Sequence, residues 1–270
     1  MSHRLLAIAF ATAAIALLPA GASAAGTGAI HPGVQTFTDG AQCTANFIYS
    51  DGTNTYIGQA AHCSGTGGNT ATDGCTSGTL PVGTQVQVTG ANNPGVMVYN
   101  SWATMQANGE KDADTCAYND IALIKLDPAD AANVDPSVPG FGGPTGVASL
   151  PATAGATVYT YGNSELRGGI TKLSPKQGVV VQQIPSGWST DVYTLTPGIP
   201  GDSGSGFMTA DGKAAGILST VQLAPLAGSN GVGDLPRELA YMHSHGGPNA
   251  NVVNGTKAFN PDLVSAILGA

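Results

Sequence analysis

Short alternating runs, each closed by glycine, proline, aspartate or asparagine, recur along most of the chain and limit what it can fold into. "ANFIYSDGTNTYIGQAA" reads as two strands around Asp51-Gly52, a strong hairpin signal. "TQVQVTG", "IALIKLD", "ATVYTYG", "GVVVQQI", "DVYTLTP" and "AAGILSTVQL" continue the series. Runs of this length and period suit strands, and turn signals at this spacing imply a β-barrel or sandwich. The 39 glycines and the low share of charged residues, 10%, fit such a turn-rich, all-β chain. No internal repeat is visible.

Long amphipathic helices are scarce, and two helices are expected near the end. Asp234 ahead of Leu235-Pro236 forms a cap with proline in the first turn, opening "RELAYMHSHG". Asn260-Pro261 opens "DLVSAILGA", where Leu263, Ile267 and Leu268 share a face. Residues 127–150, rich in Pro, Gly and Asp, are the expected connector between an N-terminal and a C-terminal half.

The first residues carry Arg4, then a largely apolar run of 16 residues from Leu5 to Ala20, then Ala22-Ser23-Ala24. A charged start, a short apolar run and an A-x-A site read as a secretory signal peptide over 1–24. The run falls short of the ~20 residues a membrane span needs. Its removal leaves residues 25–270, with 8 Lys+Arg against 17 Asp+Glu, a net charge of −9. With no basic cluster, that surface repels nucleic acid and anionic membranes. A secreted, extracellular product is expected.

Cys43, Cys63, Cys75 and Cys116 all fall in the first half. An even count in an oxidising compartment implies two disulfides, by any of three pairings. Metal-ligand spacings are missing, and His243-Ser244-His245, alternating on a helix, points its rings to different faces. No metal or other cofactor is expected.

"TPGIPGDSGSGFM", residues 196–208, surrounds Ser203 with small and turn-forming residues. Such a loop can present one hydroxyl and aim N–H groups at an incoming oxygen; an ordinary glycine-rich hairpin is the plainer alternative. A hydroxyl needs a base within reach, and histidine, titrating near neutrality, suits the task. His62 stands out in "GQAAHC", where Ala60 and Ala61 allow close backbone packing. The third member of such a set is a carboxylate that orients the ring. Asp120 in "CAYNDIALIKLD" opens an apolar run, where an unpartnered acid is costly.

"AAHC", "NDIALIKL" and "GDSGS", in that order, resemble the trypsin/chymotrypsin-like serine peptidases. Between them lie 58 residues from His62 to Asp120 and 83 more to Ser203. The resemblance implies two six-stranded antiparallel β-barrels, about 30–135 and 150–270, with the active site between them. It implies Ser203 as nucleophile, His62 as general base and then acid, Asp120 orienting His62, and the backbone N–H groups of Gly201 and Ser203 as the oxyanion hole. It also implies the bridge Cys43–Cys63, and with it Cys75–Cys116. Asp202, in this resemblance, is buried in an ion pair that shapes the oxyanion loop.

The family's usual activated amino terminus, Ile or Val before Val-Gly-Gly, is missing here. Many bacterial relatives use an internal arginine instead, which makes Arg167 in "YGNSELRGG" the expected partner of Asp202. The resemblance also places a substrate pocket at Pro197 and the following residues to Pro200, facing Ser219, Thr220 and Val221. With no acid at Pro197 and a branched side chain at Val221, a small or medium apolar residue is expected before the scissile bond.

The expected protein is a secreted, monomeric serine endopeptidase acting on protein or peptide substrates through an acyl-enzyme. One alternative is a catalytically silent binding protein of the same fold. Another is an α/β-hydrolase esterase using Ser203 with Asp234 and His243 or His245, although its elbow motif wants glycine where Ser205 stands.

Overall fold

The computed structural model describes residues 28–67, 72–222 and 227–269; the signal peptide read at 1–24 lies outside them. The first half carries β1 (Gln35–Thr38), β2 (Ala41–Thr44), β3 (Ile48–Ser50), β4 (Thr55–Ala60), β5 (Gln85–Val88), β6 (Gly95–Asn100) and β7 (Ile121–Lys125). The second carries β8 (Thr157–Tyr161), β9 (Pro175–Gln183), β10 (Ser189–Thr194), β11 (Gly206–Thr209), β12 (Ala214–Val221) and β13 (Asn230–Asp234). A short β14 (Asn251–Val252) crosses back to pair with β3.

The alternating pattern becomes burial directly. In β5, "QVQV", the valines face inward and the glutamines outward. β7 is apolar from Ile121 to Ile124 and buried on both faces, because Ile121 and Leu123 pack into one apolar cluster and Ala122 and Ile124 into another. Every pairing between these strands is antiparallel. That rules out the esterase alternative, whose sheet is mostly parallel.

The six strands of the second half close into a barrel in the order β10-β13-β12-β11-β8-β9. Val158, Val180, Val192, Phe207, Leu218 and Val232 fill it. A closed six-stranded barrel is likewise expected of the first half. Its strands form an eight-stranded sheet, β14-β3-β4-β7-β6-β5-β1-β2, with no ladder joining the two ends. β2 and β3 belong to one bent run, since the Asn46 N–H donates to the Gly58 carbonyl (2.9 Å) and the Gly58 N–H to the Phe47 carbonyl (3.1 Å), extending the pairing of β3 with β4. The Thr44 N–H donates to the Ser203 carbonyl (2.8 Å), and β14 pairs with β3. Residues 45–47 alone join β2 to β3, a span of at most about 14 Å. The sheet curls around Ile48, Ile57, Val86, Met97 and Ile124.

A third apolar cluster joins the halves, with Phe47, Tyr49, Ile121 and Leu123 from the first packed with Ile217, Leu235 and Met242 from the second. Between Lys125 and Thr157 the chain forms no strand, only a 3-10 turn at Pro128–Asn133 and isolated bridges. Helices are not confined to the end of the chain. α1 (Ser101–Asn108) is capped by Asn100, and α2 (Ala113–Tyr118) by Asp112. α3 (Leu235–Ser244) begins at the Asp234 cap, and α4 (Leu263–Leu268) at Asp262, with Leu268 left exposed. Both expected disulfides are formed, Cys43–Cys63 and Cys75–Cys116.

Candidate active site

β4 ends at Ala60 and turns into the 3-10 segment Ala61–Ser64, which carries His62; the disulfide from Cys63 to Cys43 ties that turn to β2. Asp120 sits between α2 and β7, where Cys116 of α2 is anchored to Cys75. Its carboxylate is buried and meets three donors. Oδ1 accepts the His62 backbone N–H (2.8 Å), while Oδ2 accepts from His62 Nδ1 (2.6 Å) and the Ser219 hydroxyl (2.5 Å). The Asp120 carbonyl accepts the Ala61 N–H (3.0 Å). An ionised carboxylate only accepts, so Nδ1 carries the hydrogen and Nε2 keeps its lone pair. Burial works against a charge on the ring, but the charge of Asp120 and its hydrogen bond outweigh this and raise the His62 pKa above its ordinary value.

The Asp120 N–H donates to Glu238 Oε1 (2.9 Å), a carboxyl on α3 with no exposure. Burial pushes the Glu238 pKa well above the ordinary range. The hydrogen bond from Asp120 opposes that rise, while the charges of Asp120 and Asp234 add to it. Its Oε2 is buried without a partner among the described residues.

Ser203 lies on the loop between β10 and β11. The loop is stitched to both halves: the Ser203 carbonyl accepts from Thr44 of β2, and the Gly204 N–H donates to Leu218 of β12 (2.7 Å). Gly204 has φ +86°, and a Cβ there would lie 2.6 Å from the Thr44 carbonyl oxygen and 2.8 Å from the Ala60 nitrogen. Only glycine lets this loop approach the end of β4, two residues before His62. No hydrogen bond joins the Ser203 hydroxyl to the His62 ring in this structure.

Within 201–205 the N–H groups of Asp202, Gly204 and Ser205 all donate to carbonyls. Those of Gly201 and Ser203 have no protein acceptor among the described residues. Gly201, at φ +94°, takes a conformation that other residues avoid. Asp202, next in sequence, is fully buried. Its Oδ2 pairs with Arg167 and with Lys176 Nζ (2.6 Å), and accepts the Ile199 N–H (3.2 Å). The arginine expected from the sequence is therefore joined by a lysine that was not. Lys176 in "SPKQGVVV" carried no such signal, since its burial beside Asp202 is set by the fold. Glu238, the single acid within α3, carried none either.

The expected pocket is narrow. The Gly198 N–H donates to Asn230 Oδ1 (2.8 Å), and Lys176 Nζ donates to the Pro197 carbonyl (3.4 Å). A Cβ on Gly198 would meet Leu218 Cδ2 at 3.1 Å and Val221 Cγ2 at 3.2 Å. The wall 197–200 and the Val221 side chain thus nearly touch. Thr220 packs over Gly231, and the Ser219 hydroxyl is directed to Asp120 rather than to the pocket. The cavities of about 310 Å³ at Phe141 and Lys257 and about 280 Å³ at Val179 and Leu195 are lined by none of these residues.

The Trypsin family model matches residues 32–232. No curated protein matches the chain. Among solved structures, Protease A of Thermobifida fusca is similar at 17% identity and TM-score 0.53, covering 84% of this chain and 99% of that one. A glutamic acid specific serine protease, described as using a novel histidine triad in substrate binding, matches at 17% identity and TM-score 0.50, over 83% of this chain and 100% of the other. A Glu endopeptidase matches at 18% and 0.50, over 79% and 89%. At these identities the likeness is one of fold.

Proposed function

Because the chain belongs to the trypsin family, we propose that it is a serine endopeptidase with Ser203 as nucleophile, His62 as general base and acid, and Asp120 as the group that orients His62. The observation that carries this reading is the 2.6 Å contact from His62 Nδ1 to Asp120, which leaves Nε2 free to take a proton. The unpartnered N–H groups of Gly201 and Ser203 support it as an oxyanion hole.

In the first stage Ser203 Oγ bonds to the carbonyl carbon of the scissile peptide as its proton passes to His62 Nε2. The two loop N–H groups hold the negative oxygen that develops. His62 then gives the proton to the leaving nitrogen, the C–N bond breaks, and an acyl-enzyme remains. Water attacks with His62 again as base, and Ser203 recovers its proton. No step calls for a cofactor. The hydrogen bond still to form between Ser203 and His62 is of a kind that often tightens only with substrate bound.

The close approach of Val221 to Gly198 supports a shallow pocket and a small or medium apolar residue before the scissile bond. Two of the similar structures are a glutamic acid specific protease and a Glu endopeptidase, but the pocket segments here, 197–200 and 219–221, contain no histidine. We read residues 1–24 as a leader removed on export and 25–270 as the peptidase domain, acting outside the cell as a monomer. Two disulfides suit that oxidising setting.

Digestion of a denatured protein mixture, with cleavage sites read by mass spectrometry, tests the assignment. Cuts after alanine or valine are expected, and none with Ser203→Ala. Intact substrate with the folded wild-type chain would refute the activity, and cuts confined to arginine, lysine or glutamate would refute the pocket.

A further inference from the structure

Two carbonyls bracket the Gly201 N–H, and side chains from outside the loop bind each. The Pro200 carbonyl accepts the Ser164 hydroxyl at 2.5 Å. The Gly201 carbonyl accepts Thr44 Oγ1 at 2.7 Å and Gln42 Nε2 at 3.1 Å. In a planar trans peptide the C=O and N–H point in opposite directions, so a donor on the Pro200 oxygen also fixes where the Gly201 N–H points.

We propose that Ser164 is a positioning residue for the oxyanion hole, its hydroxyl holding the Pro200–Gly201 peptide with the N–H turned toward the reacting carbonyl. This rests on the endopeptidase reading above, in which that N–H is a donor.

Ser164 is built for the task. It is 2% exposed, and a carbonyl partner can only accept, so the hydroxyl hydrogen is committed to Pro200. The Ser164 oxygen in turn accepts the Leu166 N–H (3.1 Å), opening the 3-10 turn Glu165–Arg167. The Ser164 N–H donates to Asp202 Oδ1 (3.2 Å), and Arg167 at the end of the turn pairs with the same carboxylate. One short segment therefore grips the loop on both sides of Gly201. The grip is needed because glycine at φ +94° gives the peptide little intrinsic reason to keep one orientation.

The test uses Ser164→Ala in the full mature chain, with two readouts. The first compares kcat and KM for a peptide substrate with the affinities of a peptide aldehyde, which forms an oxyanion, and of the product peptide, which does not. Loss of one oxyanion donor costs about 10²–10³ in rate, and loosening one is expected to cost roughly 10–100-fold. That loss should fall on kcat and on the aldehyde equally, with KM and product affinity nearly unchanged. The second readout is the orientation of the Pro200–Gly201 peptide in crystals of wild type and variant, where the variant is expected to show the peptide turned over. Unchanged aldehyde affinity, or an unchanged peptide, would overturn the proposal. If Ser164→Ala does not fold, Ser164→Cys keeps the shape with a weaker donor, and a smaller loss on the same readouts is expected; no loss would overturn it. If the wild type neither cleaves peptides nor binds the aldehyde, the endopeptidase reading fails, and the crystallographic readout still decides the role of Ser164.

Discussion

Lys176 Nζ lies 2.6 Å from Asp202 Oδ2, and neither side chain is more than 3% exposed. Arg167 meets the same oxygen, so one buried carboxylate is shared by two cations. Burial and the nearby Arg167 charge make Lys176 easier to deprotonate, while Asp202 opposes this; the net pKa is lowered. The consequences of substitution are unequal. Lys176→Met removes a desolvated charge and leaves the Arg167–Asp202 pair intact. Asp202→Asn leaves two buried cations without a counter-charge. Urea unfolding is expected to show a loss of about 3–5 kcal/mol for Asp202→Asn, and a clearly smaller loss for Lys176→Met.

The raised pKa of His62 sets the acid limb of activity. The neutral ring is the base, so kcat/KM should rise with pH through a midpoint above about 6.5. Asp120→Asn removes the charge that raises the pKa and leaves burial, which lowers it. The midpoint should therefore move down, with kcat reduced by about 10⁴. The same shift enters stability with a definite sign. The protonated ring favours the folded state below its ordinary pKa, and that contribution is lost as pH rises through the folded value. A pH–rate series on both proteins checks the direction.

Glu238 works in the opposite sense to most carboxylates. Its folded pKa is raised, so both states hold the proton at pH 4, and above the ordinary value the unfolded chain releases it first. Stability should then fall by about 1.4 kcal/mol per pH unit until the folded group ionises. Glu238→Gln keeps an acceptor for the Asp120 N–H and removes the titration. The variant is expected to match wild type near pH 4 and exceed it near pH 8 in parallel denaturation curves.

Val221 is the simplest handle on specificity. Its Cγ2 closes on the Gly198 wall, and Val221→Gly opens the gap. Preference should move toward leucine and phenylalanine before the scissile bond, by roughly 10-fold or more in kcat/KM, since each added methylene accommodated contributes about 1–3 kcal/mol. A panel of substrates differing only at that residue measures it.

Strand periodicity was readable because valine and isoleucine alternate with polar residues in β5 and run unbroken in β7. The hairpin at Asp51-Gly52 was readable from its turn residues. β1 and β2, "QTFT" and "AQCT", carry too few apolar side chains to announce themselves, and α1 depends on an Asn100 cap at the end of a strand. The contact of β2 with the Ser203 loop was not readable either. Thr44 gives its N–H to Ser203, 159 residues away, a tertiary contact that no local pattern records. In the candidate site, residues in distinctive local settings were legible: His62, Asp120, Ser203 and Arg167. The residues that hold them, Ser164, Lys176 and Glu238, act through contacts that only the fold creates.

A fluorophosphonate probe tests the chemistry most directly, because it reacts with a serine only where a neighbouring base activates it. The mature protein, incubated with the probe at pH 7.5 and mapped by peptide mass spectrometry, should carry the label on Ser203 alone. His62→Ala should abolish the labelling while the melting curve shows a folded protein. Folded wild-type protein that stays unlabelled, or a label on Ser203 that survives His62→Ala, would contradict a hydrolytic site built from these residues.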